Sequence, residues 1–237
     1  MNLAIPTPVA LTDRDLELLI FIASFKVVAQ DILAARFFAI SRTTGEPTLN
    51  PGRACEKRVL ELSRAGYVHT KVVKGASPGA ITREVRLTPY AAQVVNVPRP
   101  SALPARGRVH HMQTLRAVEE LRVELAARGW RIRAVALEFQ QRRLVQAGRA
   151  TKKGEQYDNF ADALLTLVRT AADGSLETKE VALEYVTSKY TDRDIIDKAE
   201  SFRRFDESIF VADSPRTAAR VTRLTAEPCR FFQELAP

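Results

Sequence analysis

The sequence predicts a protein of the α/β (α+β) class that is built from two domains. The chain has 237 residues, which is long for one domain, because domains commonly hold about 100 to 150 residues. Helical and strand patterns occur in both halves of the chain, and a proline-rich segment at residues 98–108 separates the halves. With 46% hydrophobic and 27% charged residues, the composition is globular, so we expect packed cores.

The charge of the chain indicates what it binds. A formal net charge of +8 favours a polyanionic partner, because each phosphate contact releases condensed counterions. Nucleic acid is therefore the first partner to consider, and the alternative is a basic surface that serves only solubility. The two cysteines, Cys55 and Cys229, are too far apart for a disulfide framework or zinc-finger spacing, which fits a reducing cytosol.

The sequence also excludes several classes of protein. It lacks a basic stretch followed by an apolar one at its start, and no uncharged apolar run approaches the ~20 residues that a membrane span needs. We therefore expect a cytoplasmic protein with no membrane partner. The chain has no glycine-rich phosphate loop of the nucleotide-binding kinds, which argues against an ATP-driven machine.

Residues 1–97 predict three helices, a β-hairpin and a short fourth helix. Thr12 precedes an acidic first turn, as is typical of a helix start, and apolar spacing continues that helix to about residue 24. Gly66 suits the left-handed residue that ends the third helix. The remaining predicted elements are helices at 29–38 and 53–64, strands at 67–73 and 81–87 around a tip at 74–79, and a short helix to Val95.

This order, together with the phrase LELSRAGYV at residues 60–68, resembles the winged helix-turn-helix family. The resemblance implies binding of double-stranded DNA, with Arg53, Lys57 and Arg58 of the third helix facing the major groove. Basic residues of the hairpin would reach the DNA backbone. The alternative is a winged helix that contacts protein. The predicted DNA-binding residues are Arg42, Arg53, Lys57, Arg58, Arg64, Lys71, Lys74 and Arg83.

Residues 109–237 predict a second domain in the order helix, three strands, helix, strand, helix. A long amphipathic helix at 110–128 ends before Gly129. The polar, basic stretch 140–154 is interpreted as a loop, with a phosphate-contacting segment as the alternative. The other elements are strands at 130–139, 163–168, 178–186 and 208–211, a helix from 191 to about 205, and a last helix that begins at 214–215.

The hairpin of the second domain carries a pair of carboxylates. Asp162 lies eleven residues before the turn residue Asp173, and Glu184 lies eleven residues after it. A symmetric hairpin places them opposite each other, with Cβ atoms about 4.5 to 5.5 Å apart, which is unfavourable unless their charges are neutralised. Mg²⁺ would neutralise them, with Glu138 as a further ligand and Lys189 stabilising developing negative charge. A one-residue shift of register would instead send the two carboxylates to opposite faces.

The strand order and the carboxylate pair resemble the restriction-endonuclease-like fold. That family carries an Asp on one strand and an acidic residue, any residue and Lys on the next. Here Val186 stands where the Lys belongs, so the resemblance implies catalysis only if Lys189 or Lys198 replaces it.

Nearly the whole chain resembles the replication-relaxation family of plasmids and mobile elements. The matching phrases are His111 before the long helix, FADALL at 160–165, and VALEY at 181–185 followed by a helix. The resemblance implies an accessory DNA-binding protein for replication or relaxation, acting beside replication or relaxation proteins, with a nuclease-like second domain of little or no activity. The alternatives are a Mg²⁺-dependent DNA endonuclease using Asp162 and Glu184, and a transcriptional regulator that is a homodimer through its second domain.

Overall fold

The structure is a computed structural model that describes residues 9–74, 81–99, 101, 103, 107–146 and 159–232. It is mixed α/β, with eight helices and two sheets in these ranges, which confirms the α+β class. Two compact units divide the chain, Met1–Leu115 and Arg116–Pro237. The division falls within a long helix. Residues 100, 102 and 104–106 of the predicted linker and residues 75–79 of the predicted hairpin tip lie outside the described residues.

The first unit combines helices with a small antiparallel sheet. Its strands are β1 (Val28–Ala29), β2 (Val68–Lys74) and β3 (Ile81–Leu87), in the order β1-β3-β2. Its helices are α1 (Asp13–Phe25), α2 (Gln30–Phe37), α3 (Pro51–Arg64), α4 (Pro89–Val94) and the first part of α5 (Arg108–Ala127). The two-residue β1 was not predicted, because so short a strand gives no periodic signal.

Local sequence explains where these helices begin and end. The Thr12 hydroxyl accepts a hydrogen bond from the Asp15 N–H at 3.3 Å, and the Asp15 carboxylate accepts one from the Thr12 N–H at 2.8 Å. These reciprocal bonds form a capping box that starts α1. At the end of α3, Gly66 has φ +79°, which confirms the predicted left-handed position.

The core of the first unit fixes one side of α3. Cys55, Val59 and Leu62 of this helix are fully buried, and so are Leu18, Leu19 and Ile22 of α1. The Cys55 thiol lies 3.6 Å from the Gln30 carbonyl oxygen at the start of α2. Each fully buried aliphatic side chain contributes about 1.5 to 3 kcal/mol. This packing orients α3, and its opposite side is left to solvent.

The second unit contains a five-stranded mixed sheet in the order β4-β5-β6-β7-β8. β4, β5 and β6 are mutually antiparallel, whereas β6, β7 and β8 run parallel. The strands are β4 (Arg131–Leu137), β5 (Ala163–Thr170), β6 (Leu176–Val186), β7 (Glu207–Ala212) and β8 (Cys229–Arg230). The helices are the rest of α5, α6 (Glu138–Gln146), α7 (Asp192–Phe202) and α8 (Pro215–Thr225).

One face of this sheet is covered by α7 and α8. Ala182 and Val186 of β6 alternate with Leu183 and so lie on the same face of the strand as Glu184. Ala182 and Val186 belong to a buried cluster with Ile195 and Phe202 of α7, Phe210 of β7 and Val221 of α8. Glu184 therefore lies within an apolar layer between the sheet and these helices.

The helix α6 was not predicted from the sequence. Strand β4 was predicted to reach residue 139 and to be followed by a polar loop, but a helix begins at Glu138. Gln141 anchors this helix, because its buried side-chain amide donates to the carbonyl oxygens of Ala136 at 2.8 Å and Ala161 at 2.9 Å. The rest of the predicted basic loop, residues 147–154, lies outside the described residues.

The long helix predicted over residues 110–128 is α5. His111 lies in its first turns, and its Nε2 atom is 3.0 Å from the Val27 carbonyl oxygen. Burial lowers the pKa of His111 despite this hydrogen bond.

No helix in the described ranges is both long and apolar enough to cross a bilayer.

Candidate nucleic-acid interface and carboxylate site

The exposed side of α3 is basic. Arg53, Lys57 and Arg64 are all exposed. Their spacings of four and seven residues place them on one side of a helix with 3.6 residues per turn, away from the buried Cys55 and Val59. Within the described part of the chain these three cations have no ion-pair partner, so their charges remain available to an external anion.

Arg58 does not share that side of the helix. Its Nε atom donates to Asp15 Oδ1 at 2.9 Å, and its Nη2 atom donates to Asp15 Oδ2 at 2.6 Å. Nη1 bonds Glu61 at 2.7 Å, and Nη2 also reaches the Ala10 carbonyl oxygen at 2.9 Å. The prediction that Arg58 faces a DNA groove is therefore wrong, because its guanidinium is committed to a carboxylate with no exposed surface.

The Asp15–Arg58 pair is well matched electrostatically. Burial raises the pKa of Asp15, but the hydrogen bonds from Arg58 and Thr12 outweigh it and hold that pKa below its usual value. The same contact with Asp15 raises the pKa of Arg58. Both groups therefore remain charged over the working range of pH, and the pair ties α3 to the first turn of α1.

Two other predicted DNA contacts are also engaged within the first unit. Arg83 Nη1 bonds Gln30 Oε1 and Glu56 Oε1, both at 3.0 Å, and so connects β3 with α2 and α3. Arg42 forms an exposed ion pair with Glu17. An exposed pair of this kind contributes only about 0 to 1 kcal/mol, so Arg42 can exchange Glu17 for another anion at small cost.

The hairpin offers one described basic residue that is exposed. Lys71 lies opposite Glu84 on β3, on the sheet face that alternates with the buried Val68 and Val85. It is exposed and points away from the core side of the sheet. The side chain of Lys74 falls outside the described residues.

The predicted carboxylate pair is brought together in the second unit. The register of β5 and β6 runs without a shift from Thr170↔Leu176 to Ala163↔Leu183, so the next pair in register is Asp162 and Glu184. The Asp162 N–H donates to Glu184 Oε2 at 3.2 Å, and the Tyr185 N–H donates to Asp162 Oδ2 at 2.8 Å. The symmetric register predicted from the sequence is confirmed.

Lys198 of α7 lies against this pair. Its Nζ atom is 3.0 Å from Glu184 Oε1 and 3.1 Å from Oε2, and it donates to the Phe160 carbonyl oxygen at 2.5 Å. The Tyr190 hydroxyl donates to Glu184 Oε1 at 3.0 Å. Both oxygens of Glu184, which is 0% exposed, therefore have protein donors.

The environment of Glu184 makes it a weak acid. Burial, and then the charge of Asp162, raise the pKa of Glu184 to about 8, while Lys198 and Tyr190 oppose the shift. Burial also raises the pKa of Tyr190, helped by the nearby charges of Glu184 and Asp162. The raised pKa of Glu184 and the contact with Lys198 both lessen the repulsion between the two opposed carboxylates.

The other two predicted site residues are Lys189 and Glu138. Lys189 is exposed, and among the described residues it is Lys198 that contacts the carboxylate. The backbone N–H of Glu138 donates to the Asp162 carbonyl oxygen at 3.1 Å, but its carboxylate accepts from Arg142 at 2.6 Å. The main chain of Glu138 thus contacts Asp162, whereas its carboxylate contacts Arg142.

The sequence contained a signal for Lys198 but none for Tyr190. Ile195 and Phe202 are buried, and Lys198 lies three residues after the first and four before the second. A lysine in the apolar stripe of a helix needs a buried counter-ion, which indicates a partner such as Glu184. Tyr190 and Gln141 carry no such spacing, so sequence reasoning missed both.

The donor set fits Mg²⁺ poorly. Magnesium is typically held by one or two carboxylates with water and phosphate oxygens, so two carboxylates suffice in number. However, the oxygens of Glu184 already accept bonds from Lys198, Tyr190 and the Asp162 N–H. Within the described residues no group of three or more His, Cys, Asp or Glu side chains is arranged to hold a metal ion.

Comparison with protein-family models, curated proteins and solved structures found no match for this chain.

Proposed function

We propose that the protein binds duplex DNA through the exposed side of α3 and serves as an accessory factor in replication or relaxation of a plasmid or other mobile element. The observation that carries the DNA-binding proposal is a set of exposed cations on α3, which have no ion-pair partner in the described part of the chain: Arg53, Lys57 and Arg64. The role in replication or relaxation rests on the phrases that resemble the replication-relaxation family, at residues 160–165 and 181–185.

The order of elements in the first unit supports this proposal. α2 and α3 pack together, and α3 leads into the β2–β3 hairpin, as in a winged helix-turn-helix. In that arrangement the exposed side of the third helix enters the major groove. An arginine there can bond guanine in bidentate fashion, and a lysine can neutralise phosphate. The exposed Lys71 of β2 adds a positive charge on the hairpin.

For the second unit we propose a nuclease-like scaffold that does not cleave DNA. The elements α5, β4, β5, β6, α7 and β7 occur in the order of the restriction-endonuclease-like fold, with α6 inserted. Lys198 bonds Glu184 directly and takes the place that a cation would need beside that carboxylate. The unit would then contribute DNA contacts or self-association rather than chemistry.

Binding of a labelled duplex by the full-length protein tests the proposal. The variant Arg53→Ala/Lys57→Ala should bind at least tenfold more weakly, and the slope of log affinity against log salt should fall by about 1.8 in magnitude for two lost phosphate contacts. The matched control is Arg131→Gln/Arg133→Gln, which removes two exposed arginines from β4. Equal affinities for the α3 variant and the wild type at low salt would reject the interface.

A Mg²⁺-dependent DNA endonuclease is the second candidate, and one observation favours it. Lys198 lies beside Glu184, directly across from Asp162, so the chain does supply the lysine that Val186 omits from the strand. Incubation with supercoiled plasmid and magnesium separates the two functions. Nicking that disappears in Asp162→Ala and in EDTA would establish the enzyme, whereas a shifted but intact plasmid would support the accessory protein.

A further inference from the structure

α8 is an arginine-rich helix that the interface on α3 does not involve. Its sequence, PRTAARVTRLT, contains three arginines and no acidic residue. Arg216, Arg220 and Arg223 are spaced by four and three residues, which places them on one side of a helix. These three residues are called the α8 arginine face below.

The packing of α8 fixes the direction of this face. Thr217, Ala218 and Val221 are buried, and Val221 joins the apolar cluster beneath α7 and α8. Ser214 caps the helix by accepting a hydrogen bond from the Thr217 N–H at 3.2 Å. Since the apolar side is held in the core, the arginine face is presented to solvent without a change of conformation.

Most of the charge on this face is not neutralised within the unit. Arg220 Nε donates to Asp192 Oδ1 at 2.7 Å, which joins α8 to the first turn of α7. Arg216 and Arg223 are exposed, and among the described residues neither has an ion-pair partner. Two of the three guanidinium groups are therefore free to bind an anion.

A further lysine lies near the start of the same helix. The Ser188 N–H donates to the Asp213 carboxylate at 2.9 Å, and Asp213 immediately precedes the capping Ser214. Lys189, which follows Ser188, is exposed, so a basic side chain follows the residue that bonds Asp213 at the start of α8.

We propose that the α8 arginine face binds the phosphate backbone of nucleic acid and is a second DNA contact of this protein. Seven residues of helix separate Arg216 from Arg223, which is a rise of about 10 Å. Phosphates of one strand recur at a rise of about 3.4 Å per nucleotide, so the face spans about three of them. Guanidinium groups also match phosphate oxygens in bidentate geometry.

An anionic membrane is a poorer match for this helix. Helices that bind membrane surfaces insert an apolar side among the lipids. In α8 that side is occupied by the protein core, through Ala218 and Val221. The inference rests on the proposed function for the identity of the polyanion, but it uses a surface of the second unit that is separate from α3.

The test uses the full-length protein, a short labelled duplex and a series of KCl concentrations. Arg216→Gln/Arg223→Gln should bind about tenfold more weakly, with a salt slope smaller by about 1.8, because each lost phosphate contact removes about 0.9. Arg131→Gln/Arg133→Gln removes the same charge from β4, at the opposite edge of the sheet from β8, and should bind like the wild type.

Three outcomes would overturn the inference: an α8 variant that binds like the wild type, a control variant that loses as much affinity as the α8 variant, or binding to anionic lipid vesicles that the α8 variant alone loses. The variant Arg53→Ala/Lys57→Ala, measured in the same series, separates the two proposals. If it loses affinity and the α8 variant does not, only the inference about α8 fails. If the reverse holds, the α3 interface fails and the α8 contact stands.

Discussion

Each unit contains a carboxylate with no exposed surface that contacts a basic side chain, and these two pairs differ in how they titrate. Asp15 and Glu184 are both 0% exposed, paired with Arg58 and Lys198 respectively. Hydrogen bonds to Arg58 and Thr12 leave the pKa of Asp15 below its usual value. Burial and the neighbouring Asp162 raise the pKa of Glu184 to about 8.

The two pairs differ in how far the surrounding protein stabilises the ionised carboxylate. Asp15 is satisfied by a bidentate guanidinium and a capping box, so its ionised form is stabilised and α3 is fixed to α1. Glu184 shares its site with a second carboxylate, so its charged form is disfavoured. The second pair therefore brings two carboxylates and a lysine together, whereas the first pair links α3 to α1.

Removal of Arg58 should have the largest effect on stability. In Arg58→Ala the buried Asp15 loses its counter-ion, and breaking a buried pair in this way costs about 3 to 5 kcal/mol. Denaturant unfolding of the full-length protein measures the loss. Arg53→Ala, an exposed arginine on the same helix, is the control and should change the free energy of unfolding by less than about 0.5 kcal/mol. Similar stabilities for the two variants would show that the Asp15–Arg58 pair does not hold α3.

Removal of Lys198 should cost less. In Lys198→Met the carbonyl oxygen of Phe160 and the carboxylate of Glu184 each lose a donor, but Glu184 can retain a proton, so we expect a loss of about 1 to 3 kcal/mol. The exposed Lys189 provides the matched variant, Lys189→Met. If unfolding in denaturant gives the same midpoint for both, Lys198 is not the internal counter-ion of the carboxylate pair.

The two pairs should give opposite dependences on pH. The pKa of Asp15 is lowered from 3.8, so its ionisation stabilises the folded protein above that pH. This stabilisation is lost as pH falls further. The pKa of Glu184 is raised from 4.5 to about 8, so its contribution to the free energy of unfolding is complete below pH 4.5. This contribution is lost as pH rises toward 8. Thermal unfolding should therefore show Glu184→Gln gaining stability relative to the wild type across that interval. A difference in unfolding temperature between Glu184→Gln and the wild type that stays constant across this pH interval would contradict the raised pKa of Glu184.

Periodic features were predictable from the sequence, whereas the directions of single side chains were not. The equal spacing of Asp162 and Glu184 about the turn predicts the observed register, because a tight symmetric turn sets strand pairing. Arg58 was misplaced because it lies at the border of the buried side of α3, where its direction depends on Asp15, which is distant in sequence.

The short elements were also beyond the sequence signal. α6 is amphipathic but polar, and its anchor is the single buried amide of Gln141, which bonds backbone oxygens that no periodic pattern reveals. Lys198 could be predicted as a candidate from its apolar helix positions, but the choice between Lys198 and Lys189 required the packing of α7 on β6.

Chemical footprinting of lysines tests the central claim, that the exposed side of α3 binds duplex DNA. The protein is acylated with and without saturating duplex, and the rate at each lysine is measured by mass spectrometry. Duplex should slow modification of Lys57 strongly, while Lys179, which is paired with Glu207, should react at the same rate in both samples. Equal rates at Lys57 in free and DNA-saturated protein would contradict it.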